Sequence, residues 1–381
     1  MNLETKIAVA EAVWDCILPH IPNIWHEFKP FPFILHDKES QVGVGENFPK
    51  RFSLVRKNIW AAKGRDENIY GNTSIMYHNQ LMAAWRTDSW SENPDLSKAA
   101  ANVVHEMFHC HQKTLSFPYA NEMLLPDYPH NPRSVSLVLA ENRLLIEIVE
   151  MLKENNAEKI RGLLGKIRAI RKEQEKEVGF ESMQYDKMSE INEGTATYAE
   201  IRTESILSGK PSQDIINITS LLKRDVSLLT KYRYRSYAVG AVLCLAYDIL
   251  MPNWQSKWQS SKESIFDWTA AELDIKPIES DICEDDLILA DNLLSEFRAE
   301  KEKKISEFMA QELEIFEKDI QLQGFNPMAI ITFNNHCLHI SGCSLNINGK
   351  SFSTEHPCVM EYGNNIFDIK RIYVPLGTFK K

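Results

Sequence analysis

The residues best suited to chemistry are two histidines and a glutamate in the segment His105-Glu-Met-Phe-His109. If this segment is helical, side chains four positions apart lie on one face, about 40° apart around the helix axis. Two imidazoles at this spacing suit two nitrogen ligands of one tetrahedral zinc ion. Glu106 is turned by about 100° from His105, so it can overhang the metal without binding it, where a general base belongs. The segment therefore predicts a zinc site with an acid–base group beside it.

The residues around this segment predict a helix that is buried on most sides. Asp95 is a suitable N-cap. When residues 96–113 are placed on a helical wheel, the polar side chains share an arc of about 120°, and the rest of the wheel is almost entirely apolar. The polar arc contains His105, Glu106 and His109. We therefore expect this arc to line a cleft rather than the open surface.

A catalytic zinc ion needs a third protein ligand, because two histidines leave its coordination incomplete. The downstream histidines lie in loop or strand-like contexts, and no His-x-x-Gly-x-x-His continuation follows the motif. We expect a carboxylate from a second helix, and Glu193 is the first candidate. Five of the six residues 194–199 are Gly, Ala or Thr, which allows two helices to approach closely. The alternative is that these residues only permit tight packing and that Glu193 caps a helix or pairs with an arginine. Glu141 is the alternative, either as the ligand or as an outer partner that orients a ligating histidine.

Hydrolysis of a carbonyl compound also needs a donor for the oxyanion that forms. The segment 232–237 contains three tyrosines and two arginines just before an apolar helix. Tyr234 or Tyr237 can donate a phenol hydroxyl, and Arg233 or Arg235 can donate from a guanidinium. Tyr237 is the first candidate. The alternative for each of them is an aromatic cluster at the edge of the core with solvated arginines.

The two motifs together resemble those of the gluzincin zinc metallopeptidases. The likeness is to peptidase MA-like members with Glu-Gly-x-Ala-x-Tyr on a second helix, which here is Glu193-Gly-Thr-Ala-Thr-Tyr198. It covers residues 95–200, and only the two motifs are specific. The thermolysin-like pattern has an aspartate four residues after the glutamate, where it supports a histidine, but this chain has Thr197.

The resemblance implies a site and a mode of substrate binding. It implies His105, His109 and Glu193 as the ligands of one zinc ion per chain, and Glu106 as the base and proton shuttle. It also implies a strand edge before the motif helix that binds extended peptide, and residues 73–85 are suitably placed for this.

The pattern of elements indicates an α+β fold that is mainly helical, and the resemblance implies a zincin-like metallopeptidase core. We expect an N-terminal α/β portion at 1–90, a helical zinc-binding core at 91–275, and a long helix with a C-terminal β unit at 276–381. Within these regions the sequence predicts hairpins at 33–44 and 73–85, helices at 134–155, 160–177, 181–207 and 237–250, a long helix at 285–322, and short strands within 329–375.

Composition limits the class of protein. The chain has 381 residues, 44% hydrophobic content and a formal net charge of −10, so we expect subdomains and no nucleic-acid partner. No apolar window of about 18 residues occurs, and acidic residues interrupt the N-terminus where a signal peptide needs an apolar core. The cysteines show no Cys-x-x-Cys spacing. We therefore expect free thiols, a cytoplasmic location and no membrane partner.

These observations favour a zinc-dependent metallopeptidase that acts on a peptide or protein substrate. The alternative is a zinc-binding but proteolytically inactive protein, in which the helices and the β unit form an interaction platform. A third possibility is a helical scaffold with a coincidental motif. Glu106 favours the first, because an inactive metal site has no need of a base.

Overall fold

Helices dominate the structure and three sheets accompany them, so the fold is α+β and mainly helical as predicted. The computed structural model describes residues 1–66, 68–69, 71–210, 215, 218–279 and 282–378. Within these ranges, no helix combines the length and the apolar character that crossing a membrane requires. The seven cysteines are free thiols, which confirms that prediction.

The N-terminal region contains a six-stranded mixed sheet. Its order is β3-β4-β2-β1-β6-β5, and β1 runs parallel to β6 whereas the other pairs are antiparallel. The predicted hairpins correspond to β1–β2 and β5–β6. The sequence does not predict β3 and β4, because β3 is exposed along its whole length and shows no apolar alternation. The strands are β1 (Phe33–His36), β2 (Ser40–Val44), β3 (Ser53–Arg56), β4 (Ile59–Lys63), β5 (Thr73–Tyr77) and β6 (Gln80–Arg86).

Alternate side chains of this sheet enter two different cores. Phe33 and Leu35 join helices α1 (Leu3–Ile17) and α3 (Leu96–Thr114) in the main core, whereas Ile34 packs with Phe48 on the opposite face. Helix α3 packs against β6 and β5. The edge strand β5 therefore lies beside the helix that carries the motif.

The helices before the C-terminal unit mostly follow the predicted pattern. Asp95 accepts hydrogen bonds from the backbone N–H groups of Ser97 and Lys98, which confirms it as the N-cap of α3. The expected boundary near 180 is a break at Gly179, whose φ of 81° interrupts α5. The predicted helix at 181–207 is divided by a π-helical segment, Glu190–Gly194. The remaining helices are α2 (Ile21–Ile24), α4 (Pro132–Lys153), α5 (Ala157–Ser189), α6 (Thr195–Ser208), α7 (Ser227–Thr230), α8 (Arg233–Leu250), α9 (Trp254–Ser261) and α10 (Ile265–Glu272).

The C-terminal unit combines helix α11 (Glu284–Met309) with two antiparallel sheets, ordered β7-β14-β13-β10-β9 and β12-β11-β8. The two sheets pack face to face through residues such as Leu345 and Ile372. Phe308 of α11 packs on the other face of the five-stranded sheet. The strands are β7 (Leu313–Phe316), β8 (Ile320–Phe325), β9 (Ile330–Phe333), β10 (His336–His339), β11 (Cys343–Ile347), β12 (Lys350–Thr354), β13 (Cys358–Tyr362) and β14 (Ile369–Pro375).

The predicted helix at 285–322 is wrong beyond Met309. Its apolar residues continue at a spacing that suits a helix, but β7 and β8 occupy this stretch. Asp319 has a φ of 49°, which a right-handed helix does not contain. Strand β7 pairs with β14, which lies more than fifty residues further along the chain. Pairing with distant strands therefore decides the conformation here.

Candidate metal centre

Three predicted ligands meet in one buried site. Helix α3 presents His105 and His109 from the same face, with ring centroids 5.0 Å apart. Glu193 comes from the π-helical segment, and its Oε2 lies 3.5 Å from the Nε2 atom of each histidine. Their ligand atoms all lie within 4.8 Å of one another, so this group could bind a metal ion. The site therefore brings together the residues that the motifs predict.

Close packing of three elements brings Glu193 to the histidines. Helix α6 packs along α3, as the small residues after Glu193 predict. On the other side, Gly194 meets Gly240 of α8. A Cβ on Gly240 would lie 2.5 Å from the carbonyl oxygen of Glu190 and 2.6 Å from the Cα of Gly194, so a side chain cannot be accommodated without movement. This contact brings the first turns of α8 to the site.

Gln112 connects the motif helix to the π-helical segment. Its Nε2 donates to the carbonyl oxygens of Ile191 and Asn192, at 3.1 and 2.8 Å, and to the Thr195 hydroxyl at 2.8 Å. A π-helical turn leaves backbone groups without their usual partners, so an external donor stabilises it. The Oε1 atom of the same amide faces His109 Nδ1 at 2.8 Å. One buried side chain thus holds both the segment that carries Glu193 and the ring of His109.

His105 has a corresponding outer partner, Glu200, whose Oε2 lies 2.9 Å from His105 Nδ1. Because both Nδ1 atoms face acceptors, each ring can donate its Nδ1 proton there, which leaves Nε2 as the ring atom available to a metal. Sequence reasoning missed Glu200. It lies seven residues after Glu193, which is two helical turns and nearly the same face, so the spacing could have indicated it. Thr197, at the position of the thermolysin-like aspartate, instead donates to the Glu193 carbonyl oxygen.

The electrostatics of the site fit a cation. Glu193 Oε1 accepts a hydrogen bond of 2.6 Å from Arg233, whereas the buried Oε2 faces the Nε2 atoms of both histidines at 3.5 Å, longer than a normal hydrogen bond. Burial alone would raise the pKa of Glu193, but His105, His109 and Arg233 hold it well below its usual range. Tetrahedral zinc holds N and O ligand atoms roughly 3.3 Å apart, close to the 3.5 Å seen here. The donor set therefore fits zinc.

The same geometry makes protons compete with a metal. Burial lowers the pKa of His105, but its contacts with Glu193 and Glu200 outweigh this effect and raise the pKa well above its usual value. A proton on Nε2 of His105 occupies the lone pair that a metal needs. Metal binding at this site therefore releases protons.

Glu106 lies beside the ligands without joining them. Its side chain is buried, and burial raises its pKa, although His105 and His109 partly oppose the rise. No residue in the described ranges donates a hydrogen bond of normal geometry to its carboxylate. A buried carboxylate with a raised pKa and no fixed partner is suited to taking up and releasing a proton.

Tyr237 is the predicted oxyanion donor that the structure places at the site. Its ring stacks on His105 with 5.9 Å between centroids and 13° between planes. Burial and the nearby Glu193 raise its pKa far above the usual value, so the hydroxyl keeps its proton. Arg233 also lies here, bound to Glu193 and, at 3.0 Å, to Glu122.

The other candidates lie elsewhere, and the alternative roles for Glu141 are wrong. Glu141 is 1% exposed and pairs with Arg171 and Arg235 at 2.7 Å each, so it neither approaches the ligand group nor orients a histidine. Arg235 is thereby committed to a buried ion pair and cannot serve an oxyanion. Tyr234 is 47% exposed and faces a neighbouring cleft.

No protein-family model, curated protein or solved structure matches this chain. The resemblance to the gluzincins therefore depends on the two motifs, and the activity that it implies remains a proposal.

Proposed function

We propose that this chain is a zinc-dependent metallopeptidase with a zincin-like core, in which His105, His109 and Glu193 hold one zinc ion. The observation that carries the proposal is the convergence of the three ligand atoms, with Glu193 Oε2 at 3.5 Å from the Nε2 atom of both imidazoles. A buried carboxylate needs compensating positive charge, which Arg233 supplies at Oε1 and a metal ion would supply at Oε2. The outer contacts with Glu200 and Gln112 support the assignment, because zinc-ligating histidines are held in this way.

Glu106 is the proposed general base. When bound, zinc supplies a Lewis acid that polarises a carbonyl group and lowers the pKa of water. Glu106 takes a proton from the attacking water and passes it to the leaving amine. Its raised pKa supports both halves of this transfer, because a group whose pKa is nearer neutrality both accepts and releases a proton readily.

Tyr237 and Arg233 complete the proposed machinery. The protonated Tyr237 hydroxyl is a donor for the oxyanion. Arg233 binds Oε1 of Glu193 and leaves Oε2 for the metal. Both residues belong to the first turns of α8. This helix can pack so closely against the segment that carries Glu193 because Gly240 has no side chain.

The proposed substrate is an extended peptide that adds to the edge of β5. This strand is at the edge of its sheet and pairs only with β6 among the described strands. Lys113 of α3 donates to the Ser74 carbonyl oxygen at 2.6 Å, which ties the edge to the motif helix. The free cysteines support a reducing compartment, the cytoplasm, for this activity.

The test compares Glu106→Gln with Glu147→Gln, an exposed glutamate on α4. Zinc content is measured on each purified protein, and hydrolysis of a diverse peptide library is followed by mass spectrometry. We expect about one zinc ion per chain in all three proteins, because neither variant removes a ligand. Glu106→Gln should lose turnover by about 10²-fold or more, the usual effect of removing a positioned acid–base group, whereas Glu147→Gln should match the wild type.

Two outcomes would contradict the proposal. Undiminished cleavage by zinc-loaded Glu106→Gln would show that the motif is not the catalytic centre. Stoichiometric zinc with no turnover by the wild type on any peptide would favour the alternative, a zinc-binding interaction protein.

A further inference from the structure

A large cleft lies beside the metal centre, between the helical core and the C-terminal unit. Its volume is about 790 Å³, within the range of pockets that bind small ligands. One wall is α11, another is the start of α8 with the residues before it, and a third is β9 with its flanking loops. Thr332 of β9 donates to the carbonyl oxygen of Pro126 at 3.1 Å, which joins the β9 wall to the loop at 125–130 that also lines the cleft.

The cleft carries positive charge in a chain whose formal net charge is −10. Its only lining carboxylate among the described residues is Glu300, which already pairs with Lys304. His130 adds no charge, because burial lowers its pKa to about 3. The cationic side chains that line the cleft are Lys231, Arg233, Arg298, Lys301 and Lys304, of which Arg233 and Lys304 already pair with carboxylates.

Among the cationic side chains of the cleft, Lys301 is the one best suited to bind an anion. Its side chain is half-buried, and its Nζ lies 4.3 Å from the centroid of the Phe297 ring. No carboxylate of the described residues lies within the 4 Å of an ion pair. Removing an ammonium group from water without an anionic partner costs free energy. Asp127 acts on Lys301 only over a longer distance, so an anion that enters the cleft would still gain a direct ion pair with this ammonium group.

Two residues connect the cleft to the metal centre. Arg233 lines the cleft and binds Glu193, the third ligand. Tyr234 also lines it, and its ring lies 5.6 Å from that of Tyr237, which stacks on His105. The cleft therefore adjoins the metal centre through these side chains, where a bound peptide would have to pass from one to the other.

We propose that this cleft binds acidic peptide, so that the enzyme acts on substrates with carboxylates and apolar residues on one side of the scissile bond. The proposal rests on the proposed peptidase function. The cations select the carboxylates, and the apolar part of the lining, including Leu294, Ile331 and Phe333, contacts the intervening side chains. The carboxylates are those of acidic side chains, and a C-terminal carboxylate, which shares their chemistry, can add to them.

Peptide suits this cleft better than nucleic acid. Nucleic acid is bound by an extended basic track with aromatic faces open for stacking. Here the cations converge on one cleft, and the Phe297 ring is covered by Lys301.

The test measures binding rather than turnover, using the full-length, zinc-loaded Glu106→Gln protein so that peptides stay intact. Fluorescence anisotropy follows a fluorescein-labelled octapeptide of alternating glutamate and leucine, its glutamine counterpart, and its C-terminal amide. A labelled oligothymidylate is the nucleic-acid probe. Lys301→Gln is compared with Lys303→Gln, an exposed lysine on the same helix that does not line the cleft. Thermal melts establish that each variant is folded.

We expect the glutamate peptide to bind at least about tenfold more tightly than the glutamine peptide, since a hydrogen bond to a charged group is worth at least that factor. Lys301→Gln should remove most of this preference, and Lys303→Gln should retain it. The amide should bind as tightly as the free-acid glutamate peptide if only side-chain carboxylates bind the cleft, and weaker binding of the amide would show that the terminal carboxylate contributes as well.

Equal binding of the glutamate and glutamine peptides, equal effects of the two lysine variants, or tighter binding of oligothymidylate would each overturn the proposal. These results are separable from failure of the peptidase proposal. Peptide turnover by the wild type without any preference for acidic peptides contradicts only the proposal for the cleft. Binding of acidic peptide without zinc or turnover contradicts only the proposal of peptidase activity.

Discussion

Glu200 provides a sharp test of how the metal centre is built, because it should control zinc affinity without touching the metal. Its Oε2 lies 2.9 Å from His105 Nδ1, and this contact holds the ring with Nε2 toward Glu193. Glu200→Gln keeps an acceptor but removes its charge, and Glu200→Ala removes both. Neither variant deletes a ligand.

The expected loss of zinc affinity follows from the role of this hydrogen bond and from the exposure of the Glu200 side chain. Removing an outer partner of a ligating histidine typically lowers metal affinity by about 10- to 100-fold, which is about 1.4 to 2.7 kcal/mol. The Glu200 side chain is 26% exposed, so solvent partly screens its charge. We therefore expect about tenfold weaker zinc binding for Glu200→Gln, and an effect nearer 100-fold for Glu200→Ala.

The assay is a competition titration of each protein against a chromophoric zinc chelator, with thermal melts of the zinc-free proteins as a check on folding. Glu147→Gln is again the matched control and should bind zinc as the wild type does. Wild-type affinity in Glu200→Ala would refute the reasoning, since it would mean that the orientation of His105 does not depend on this contact. Weakened binding by Glu147→Gln would show that net charge, not the hydrogen bond, sets the affinity.

Three further predictions follow from other contacts. Tyr237→Phe should keep zinc but lower turnover on the peptide library by about 10²-fold, the usual effect of removing an oxyanion donor; wild-type turnover would remove Tyr237 from the mechanism. Gly240→Ala should lower the free energy of unfolding, measured with urea, by about 1–3 kcal/mol, because its methyl group meets backbone atoms of Glu190 and Gly194; unchanged stability would contradict the close approach. Burial raises the pKa of Asp186 from 3.8 to about 7, so its contribution to stability is complete below pH 3.8 and is lost as pH rises through 7. The free energy of unfolding of Asp186→Asn, measured with urea, should therefore rise relative to that of the wild type between about pH 5 and about pH 8, by at most about 4 kcal/mol. A difference that does not change with pH would show that the carboxyl is not protonated in the folded protein.

Elements governed by local pattern were predictable. The start of α3 follows from Asp95, and the β1–β2 and β5–β6 hairpins follow from apolar runs joined by short polar turns. The break at Gly179 falls at the predicted helix boundary, because glycine adopts a positive φ without strain. These signals lie within a few residues of the feature that they determine.

Elements governed by distant pairing were not predictable in this way. Strand β7 has apolar spacing that suits a helix, and only its register with β14 makes it a strand. The exposed strand β3 has no apolar face to reveal it and depends on β4 for its hydrogen bonds. In both cases the partner strand supplies the stabilising interactions, and a single segment does not contain that information.

The sequence by itself determined that His105 and His109 share a helix face with Glu106 beside them, because the geometry of an α-helix fixes the positions of neighbours. It also pointed to Glu193 through the small residues that follow. Only the tertiary structure decided that Glu141 belongs to a buried ion pair, since Arg171 and Arg235 come from other helices. The cationic cleft likewise exists only in the folded chain, where α8, α11 and β9 bring together cations that are far apart in sequence.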